Sequence, residues 1–197
     1  MIDIDTLLAW GAAYKKVAAH ETIFREGTEG HFYYQLVSGS VHWLNINDAG
    51  GEFLQDVIQS GESFGEFPLF DNNSYAATAV ASKDSVVIRL NKTTFLQMLK
   101  ENSAIHFAFT KLFSERLRFK FLLLKELSCF GPEHRIATLF THFKEAKKNI
   151  CQNCRQVKVT RQQIADMTGL RVETVIRSIR HLQDKGALVI TKGKVYC

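Results

Sequence analysis

The sequence predicts an α+β protein: an antiparallel β-barrel in the first half, a long helix in the middle, and a small helical half that ends in a β-hairpin. Short segments rich in β-branched and aromatic residues alternate with turn residues up to Asn91, and a helical period replaces them from Lys92 to Leu127. The charge also changes sign near residue 131, which indicates that the two halves are separate domains.

Six segments of the first half have the composition of short strands. They are Lys15–Ala19, Phe32–Val37, Ser40–Ile46, Glu52–Ile58, Ala76–Ala81 and Ser85–Leu90. Clusters of glycine, asparagine and aspartate, such as 26–30, 47–51 and 71–74, separate the segments and supply the turns. Many short strands at this spacing are typical of a closed or rolled antiparallel barrel.

The segment from Lys92 to Leu127 has a helical period that is interrupted near Glu101–Ser103. Its second part carries one broad apolar stripe. We expect this stripe both to pack on the barrel of its own chain and to join a second copy into a homodimer. The residues predicted at the dimer interface are Ile105, Phe109, Leu112, Phe113, Phe119 and Leu123.

Gly131 and Pro132 mark the end of the long helix, because glycine suits a helix end and proline suits the first turn of the next helix. Beyond them we expect a helix over 133–147, a short strand over Gln156–Val159, two helices, and strands Leu188–Ile190 and Lys194–Tyr196. The predicted domains are a β-barrel over 1–100, a dimerisation helix over 101–128 and a small helical domain over 129–197.

The charge is divided unevenly along the chain. Residues 1–131 have a balance of −3 and residues 132–197 a balance of +8, which together give the net charge of +5. A basic third attached to a slightly acidic remainder is typical of a domain that meets a polyphosphate. A basic solvated surface has the same composition, so the charge alone leaves both interpretations open.

Residues 159–182 carry the strongest motif, VTRQQIADMTGLRVETVIRSIRHL. Thr160 and Gln163 have the spacing of a capping box at the start of a short helix. Gly169 permits a tight turn before a second helix. This is the pattern of a helix-turn-helix.

The second helix of this motif presents a polar face opposite its apolar stripe. Arginine can donate two hydrogen bonds to guanine, glutamate can accept from the cytosine amino group, and isoleucine can contact a thymine methyl. An amphipathic surface helix with a Glu173–Arg177 ion pair is the alternative. The residues predicted to contact double-stranded DNA are Thr160, Arg161, Arg171, Glu173, Thr174, Ile176, Arg177, Arg180, Lys192 and Lys194.

The whole chain resembles the CRP/FNR family, the relatives of the bacterial cyclic-AMP receptor protein and the fumarate–nitrate reduction regulator. The resemblance rests on the order of barrel, long helix, hinge and helix-turn-helix, and on the stretch TRQQIADMTGLRVETVIR. It implies a cyclic-nucleotide-binding-like double-stranded β-helix and a winged helix-turn-helix. It also implies a transcription regulator that binds palindromic DNA as a homodimer and contacts RNA polymerase. Val172 stands where the cyclic-AMP branch has an arginine and the fumarate–nitrate branch has a valine, which favours the half-site preference of the latter.

Residues 61–80 resemble the family's phosphate-binding cassette, in which a Gly-Glu pair meets the ribose and an Arg-Ser pair grips the cyclic phosphate. Here Tyr75 and Ala76 occupy the Arg-Ser positions, so the charged bidentate donor is missing. We therefore predict that cyclic AMP is not bound in the usual way and that Gly65 and Glu66 have structural roles. The predicted effector pocket consists of Gly65, Glu66, Tyr75, Ala76, Ala77 and Thr78.

The sequence leaves several other effectors as alternatives. The family's iron–sulfur sensors use an amino-terminal cysteine group, whereas the first cysteine here is Cys129. Haem is one alternative, and an apolar or acidic metabolite, or no effector, is another. The candidate haem ligands are His20, His31, His42 and His106.

Cys151 and Cys154 form a C-x-x-C pair. A second ligand pair at suitable spacing is missing, so we predict no metal site. Two solvent-facing thiols and a redox switch that alters DNA binding remain alternatives.

Two other classes of function fit less well. An enzyme on such a barrel needs clustered metal ligands or a nucleophile–base pair, and His42 has no such neighbours, so we expect no catalysis. A cyclic-nucleotide- or haem-binding module that regulates a partner protein is the alternative, but it would not need a basic helix-turn-helix. The acidic amino terminus and the lack of a run of about 18 apolar residues predict a cytoplasmic protein with no membrane contact.

Overall fold

The computed structural model describes residues 2–197, and the chain divides into two compact units, one up to Leu112 and one from Phe113 onward. The elements of the first unit are α1 (Ile4–Ala9), β1 (Ala13–Val17), β2 (Thr22–Phe24), β3 (Phe32–Ser38), β4 (Val41–Ile46), β5 (Glu52–Ile58), β6 (Ser63–Phe64), α2 (Phe67–Asp71), β7 (Thr78–Ala81), β8 (Ser85–Asn91), α3 (Lys92–Glu101) and the start of α4 (Ser103–Cys129). Those of the second unit are the rest of α4, α5 (Pro132–Glu145), α6 (Arg161–Thr168), α7 (Val172–Asp184), β9 (Val189–Thr191) and β10 (Lys194–Tyr196).

The strands of the first unit form two four-stranded antiparallel sheets, in the orders β1-β8-β3-β6 and β2-β7-β4-β5. Side chains from both sheets meet in one buried core, in which Leu36 and Val87 come from the first sheet and Val41 and Ala79 from the second. This confirms the predicted antiparallel β fold, since each strand alternates between side chains that enter the core and side chains that face away from it.

Several strand boundaries differ from the prediction. β1 ends at Val17 because His20, at φ 66°, and its neighbours form a turn. The segments β2 and β6, with the short helices α1 and α2, were not predicted, since two to six residues carry too little periodicity. The predicted strand Gln156–Val159 is wrong: the structure has only isolated bridges there, Ile150 with Val157 and Gln156 with Tyr196.

The junction between the long helix and α5 agrees with the sequence prediction. α3 ends at Glu101, Asn102 separates it from α4, and α4 ends at Cys129. Gly131 is the N-cap of α5 and Pro132 is its first residue. Arg135 fixes this junction, because its guanidinium donates to the carbonyl of Phe130 at 2.9 Å and to that of Leu127 at 2.8 Å.

Phe109 anchors the start of α4 within the first unit. Its ring lies 5.9 Å from the ring of Tyr33, 5.4 Å from that of Phe95 and 5.8 Å from that of Phe70, and only 3% of the residue is exposed. Phe109, one of the residues predicted at the dimer interface, is therefore part of the core of its own chain.

Candidate functional site

The first helix of the predicted helix-turn-helix begins with the capping box that the sequence indicates. The Thr160 side chain accepts a hydrogen bond from the Gln163 amide at 3.1 Å, and the Gln163 side chain accepts from the Thr160 amide at 2.8 Å. This reciprocal capping box begins α6. Gly169 ends α6 at φ 64°, a left-handed conformation that glycine adopts without strain, and α7 follows after two residues. A compact helix-turn-helix results.

α7 has one buried face and one exposed face. Val175, Ser178, Ile179 and Leu182 are buried against the rest of the second unit. The opposite face exposes the residues predicted to read bases, which are Glu173, Ile176, Arg177 and Arg180. Within residues 2–197 neither Glu173 nor Arg177 forms an ion pair, so the alternative of a Glu173–Arg177 surface pair is not favoured.

The start of α7 has a free amino-terminal end. Its N-cap residue, Arg171, is exposed and makes no side-chain capping bond, so backbone N–H groups of the first turn are open to an anion. Thr174 is half-buried and lines the groove between α5 and α7 together with Ser178. Arg171 and Thr174 were both predicted to contact DNA, and Arg171 is the more accessible of the two.

The β9–β10 hairpin forms the wing. Its two turn residues, Lys192 at φ 48° and Gly193 at φ 76°, both have the positive φ of a type I′ turn. Lys192 and Lys194 are exposed, as required for contact with phosphates. Arg161 holds this wing, because its guanidinium donates to the Gly193 carbonyl at 3.1 Å and is half-buried, which lowers its pKa. Arg161 therefore positions the wing in addition to any contact with DNA.

An ionic cluster ties α5 to the carboxyl end of α7. Glu133 lies 2.5 Å from His181 Nδ1 and accepts a hydrogen bond from Lys185 Nζ at 2.8 Å. The hydrogen bond from Lys185, followed by that from His181, lowers the pKa of the Glu133 carboxyl. The sequence prediction did not include this cluster, because nothing in the local pattern links residues about 50 positions apart.

Four large apolar residues of α4 are more than half exposed, and none of them is among the predicted dimer residues. Phe107 is 72% exposed, Leu117 57%, Phe121 65% and Leu124 59%. Their spacing of 10, 4 and 3 residues places them on the a and d positions of one heptad register. We name these four residues the α4 seam.

The predicted dimer residues are more buried than the seam. Ile105, Leu112, Phe113, Phe119 and Leu123 are each half-buried, and the Phe119 ring stacks on His142 with 3.6 Å between ring centroids. Ile105, Phe109, Leu112, Phe119 and Leu123 also fit the a and d positions of a heptad, so periodicity alone does not separate this stripe from the α4 seam.

The effector-pocket residues surround a stack of aromatic rings. Phe24 and Tyr75 lie face to face, with 3.8 Å between centroids and 10° between planes. A Cβ on Gly65 would lie 2.5 Å from the Phe24 ring and 3.1 Å from the Tyr75 ring, and Gly65 itself has φ 72°. Glycine is therefore required both for the backbone conformation and for space beside the two rings.

The remaining pocket residues have structural partners. Glu66 is fully buried and accepts a hydrogen bond from the Ser63 hydroxyl. Ala77 is buried in the core, Ala76 is exposed, and the Thr78 hydroxyl accepts from the Glu26 amide at 3.0 Å. Burial, and then the nearby Tyr34, raises the pKa of the Tyr75 hydroxyl, so Tyr75 stays neutral near pH 7.

An open pocket of about 410 Å³ adjoins this stack. It is lined by Phe24, Phe32, Tyr34 and Tyr75, with Arg25 at its side. Thr22, Thr28, Glu29 and His31 also line it, so the surface is partly aromatic and partly polar. Its charged residues, Arg25 and Glu29, are exposed, so neither is the buried charged donor that a cyclic phosphate needs.

The four histidines considered as haem ligands are spread over the first unit. His20 is in the turn before β2, His31 lines the open pocket, His42 is in β4 and His106 is exposed on α4. Throughout residues 2–197, no group of three or more His, Cys, Asp or Glu is arranged to hold a metal ion. In the same residues no helix combines the length and the apolar composition needed to cross a membrane.

Comparison with known proteins gives consistent results for both halves of the chain. A model of the cyclic nucleotide-binding domain matches residues 14–102, and a model of the Crp-like helix-turn-helix domain matches residues 134–196. The cAMP-activated global transcriptional regulator CRP of Haemophilus influenzae is 29% identical over 195 residues, which cover 96% of this chain and 87% of that protein.

Two solved structures share the fold. The c-di-GMP responsive global regulator CLP of Xanthomonas campestris superposes with a TM-score of 0.78 at 21% identity, covering 98% of this chain and 96% of that one. A mutant of CooA from Carboxydothermus hydrogenoformans gives a TM-score of 0.81 at 14% identity, covering 100% of this chain and 87% of that one. At these identities the structures support the fold alone.

Proposed function

Because the chain belongs to the CRP/FNR family of transcription regulators, we propose that it binds a palindromic DNA site as a homodimer and reads the bases with α7. The single observation that carries this proposal is the exposed face of α7, on which Glu173, Arg177 and Arg180 lie together opposite a fully buried stripe. Such a face suits the major groove, where arginine and glutamate distinguish G·C pairs by their hydrogen bonds.

The surroundings of α7 support contact with the DNA backbone. Lys192 and Lys194 on the wing and Arg171 at the start of α7 are exposed, and residues 132–197 carry the chain's positive excess. Phosphate contacts of this kind position a reader without specifying the sequence. We assign base reading to α7 and backbone contact to the wing and to Arg171.

The α4 seam is the surface on which the proposed homodimer forms. Its four exposed apolar residues follow a coiled-coil register, which is the pattern by which two helices bury each other's side chains. Two copies joined along α4 would present two α7 helices about one DNA turn apart, as a palindromic site requires. A cytoplasmic location and contact with RNA polymerase form part of this proposal.

Cyclic AMP is not the effector in this proposal, although the Haemophilus influenzae relative is cAMP-activated. Tyr75 stands in the phosphate-gripping position, is neutral near pH 7, and is stacked on Phe24. At this position the tyrosine offers a neutral hydroxyl in place of the guanidinium that would grip a cyclic phosphate. Losing such a charge-assisted contact commonly costs about 2–5 kcal/mol, which removes useful affinity.

Selection of sites from a random DNA pool tests the proposal. We expect the purified protein to enrich a palindrome with a guanine in each half-site, and Arg177→Ala to weaken binding to that site by about 1–3 kcal/mol. Gln162→Ala, on the exposed side of α6, is the matched control. Addition of cyclic AMP should leave the affinity unchanged. Lack of any enriched sequence, or equal binding by Arg177→Ala, would contradict the assignment.

A further inference from the structure

Cys151 and Cys154 lie in a closed turn in the second unit. The Cys151 amide donates to the Gln156 carbonyl at 2.8 Å, and the Arg155 amide donates to the Cys151 carbonyl at 2.8 Å. Arg155 has φ 55°, a conformation that turns the chain back on itself. We name residues 151–155 the thiol turn.

The two thiols are in contact and accessible. The Cys154 thiol donates a hydrogen bond to the Cys151 sulfur, which also accepts from the amides of Cys154 and Asn153. These hydrogen bonds lower the pKa of the Cys151 thiol to about 7. The bond from the Cys154 amide has the largest effect, and the positive charge of Lys158 lowers the pKa further. Cys154 is exposed and Cys151 is half-buried. Cys151 and Cys154 are the first and fourth residues of an α-turn that is closed by the bond from the Arg155 amide to the Cys151 carbonyl. A disulfide requires about 4.4–6.8 Å between their Cα atoms, and a turn of this size brings its first and fourth residues close to that range.

The thiol turn and the two residues that follow it are hydrogen-bonded to the end of the wing. Gln156 pairs with Tyr196, the Val157 amide donates to the Val195 carbonyl at 2.9 Å, and the Cys197 amide donates to the Arg155 carbonyl at 3.3 Å. Val195 and Tyr196 belong to β10, and Cys197 follows it directly. Together with β9, this strand carries the hairpin turn with Lys192 and Lys194. A change of conformation in the thiol turn therefore reaches the wing directly.

We propose that Cys151 and Cys154 are a redox switch of the DNA-binding unit, in which a reversible disulfide displaces the wing and weakens DNA binding. The oxidant is a peroxide. The Cys151 thiolate attacks hydrogen peroxide, an S–O bond forms as the O–O bond breaks, and a proton from solvent completes a water molecule, leaving a sulfenic acid. The Cys154 sulfur then attacks the Cys151 sulfur, and the S–S bond forms as the S–O bond of the sulfenic acid breaks. The leaving hydroxide takes up the Cys154 proton and departs as a second water.

Oxidation should weaken DNA binding, because the disulfide removes hydrogen bonds that hold the thiol turn in place. Disulfide formation brings the two sulfur atoms to about 2 Å and removes the thiolate as an acceptor of the Asn153 and Cys154 amides. The thiol turn must therefore rearrange, and this displaces the wing because the end of β10 is hydrogen-bonded to this part of the chain. Each phosphate contact contributes roughly a factor of five to affinity at about 0.15 M salt, so losing one contact in each protomer of a dimer weakens binding about 25-fold.

The switch rests on the proposed function, so it is tested with full-length protein on the DNA site that the reduced protein selects. We expect peroxide to yield a Cys151–Cys154 disulfide, seen by mass spectrometry of alkylated peptides. We expect the Kd to rise about five- to 25-fold, with a smaller salt dependence, and dithiothreitol to reverse both changes. Cys151→Ser and Cys154→Ser should each abolish the response, whereas the matched control Cys129→Ser, an exposed thiol on α4, should retain it.

Three results would overturn the switch. They are a peroxide-treated protein without this disulfide, a disulfide that leaves the Kd unchanged or lower, and stoichiometric zinc in the purified protein, which would make the thiols metal ligands. Failure of the reduced protein to select any DNA is a different result, because it removes the proposed function while the disulfide is still measured independently by mass.

Discussion

Replacing Phe121 by alanine should separate the homodimer into folded monomers. Phe121 is the central aromatic residue of the α4 seam, and 65% of it is exposed in a single chain. It has lost only a small part of its surface to its own chain, so its removal costs the monomer little. Most of its apolar surface is available to a partner helix.

The expected magnitude follows from this exposed area. An aromatic side chain offers about 200 Å², so an exposed fraction of 65% leaves about 130 Å² that a partner can cover. At about 25 cal/mol per Å² this is about 3 kcal/mol for each copy, or about 6 kcal/mol for the dimer as an upper limit. Half of that value raises the dimer dissociation constant by about two orders of magnitude.

Sedimentation equilibrium of the wild type and Phe121→Ala measures the two dissociation constants directly. Tyr14→Ala is the control, since Tyr14 is an aromatic residue of similar exposure, 52%, on β1 and distant from α4 in sequence. Circular dichroism should show the same helix content and a similar Tm for all three proteins at high concentration. If Phe121→Ala dimerised as tightly as the wild type, the seam would not be the interface.

Three further predictions concern the two compact units. Phe109→Ala should lower the free energy of unfolding by about 3–5 kcal/mol, measured by denaturant titration, because it empties a fully packed aromatic site. Gly65→Ala should also lower the Tm, because its Cβ meets the Phe24 ring at 2.5 Å and its φ of 72° strains any other residue; an unchanged Tm would contradict this account. The third prediction is a pH dependence of stability. Ionised Glu133 adds to the free energy of unfolding above the ordinary pKa of 4.5, and this stabilisation is lost as the pH falls through the lowered pKa of the folded state. Thermal melts should therefore show a steeper loss of Tm for the wild type than for Glu133→Gln as the pH falls below about 4.5.

The helix-turn-helix could be predicted in detail because its determinants are local. A capping box needs a threonine and a glutamine three residues apart, and the turn needs a glycine at a left-handed position. Thr160, Gln163 and Gly169 satisfy these requirements within ten residues of sequence, and the structure has the same bonds and the same φ. The exposed face of α7 was equally predictable, since a helix with one apolar stripe must expose the other side.

The surfaces of α4 could not be predicted as well, because apolar residues occur all round this helix. Periodicity indicates that a face is apolar, but it does not indicate which face the same chain covers. Only the tertiary contact between Phe109 and the rings of Tyr33 and Phe95 decides that question, and these residues are far apart in sequence. Once one face is covered, Phe121 and Leu124 are left exposed.

The predicted effector pocket shows that a sequence pattern can match a binding site while the structure gives the residues a packing role. Its residues match a ligand-binding pattern, but their contacts are those of a core. Gly65 is retained beside Phe24 and Tyr75, where any Cβ would collide with the rings, so the glycine can be explained without a ligand. In a site that grips a phosphate, the corresponding space must stay open and polar. Here it holds an aromatic stack, which stabilises the β unit without an effector. The proposed redox switch needs no ligand in this cassette, because Arg155 of the thiol turn is hydrogen-bonded to Cys197, the residue that follows β10.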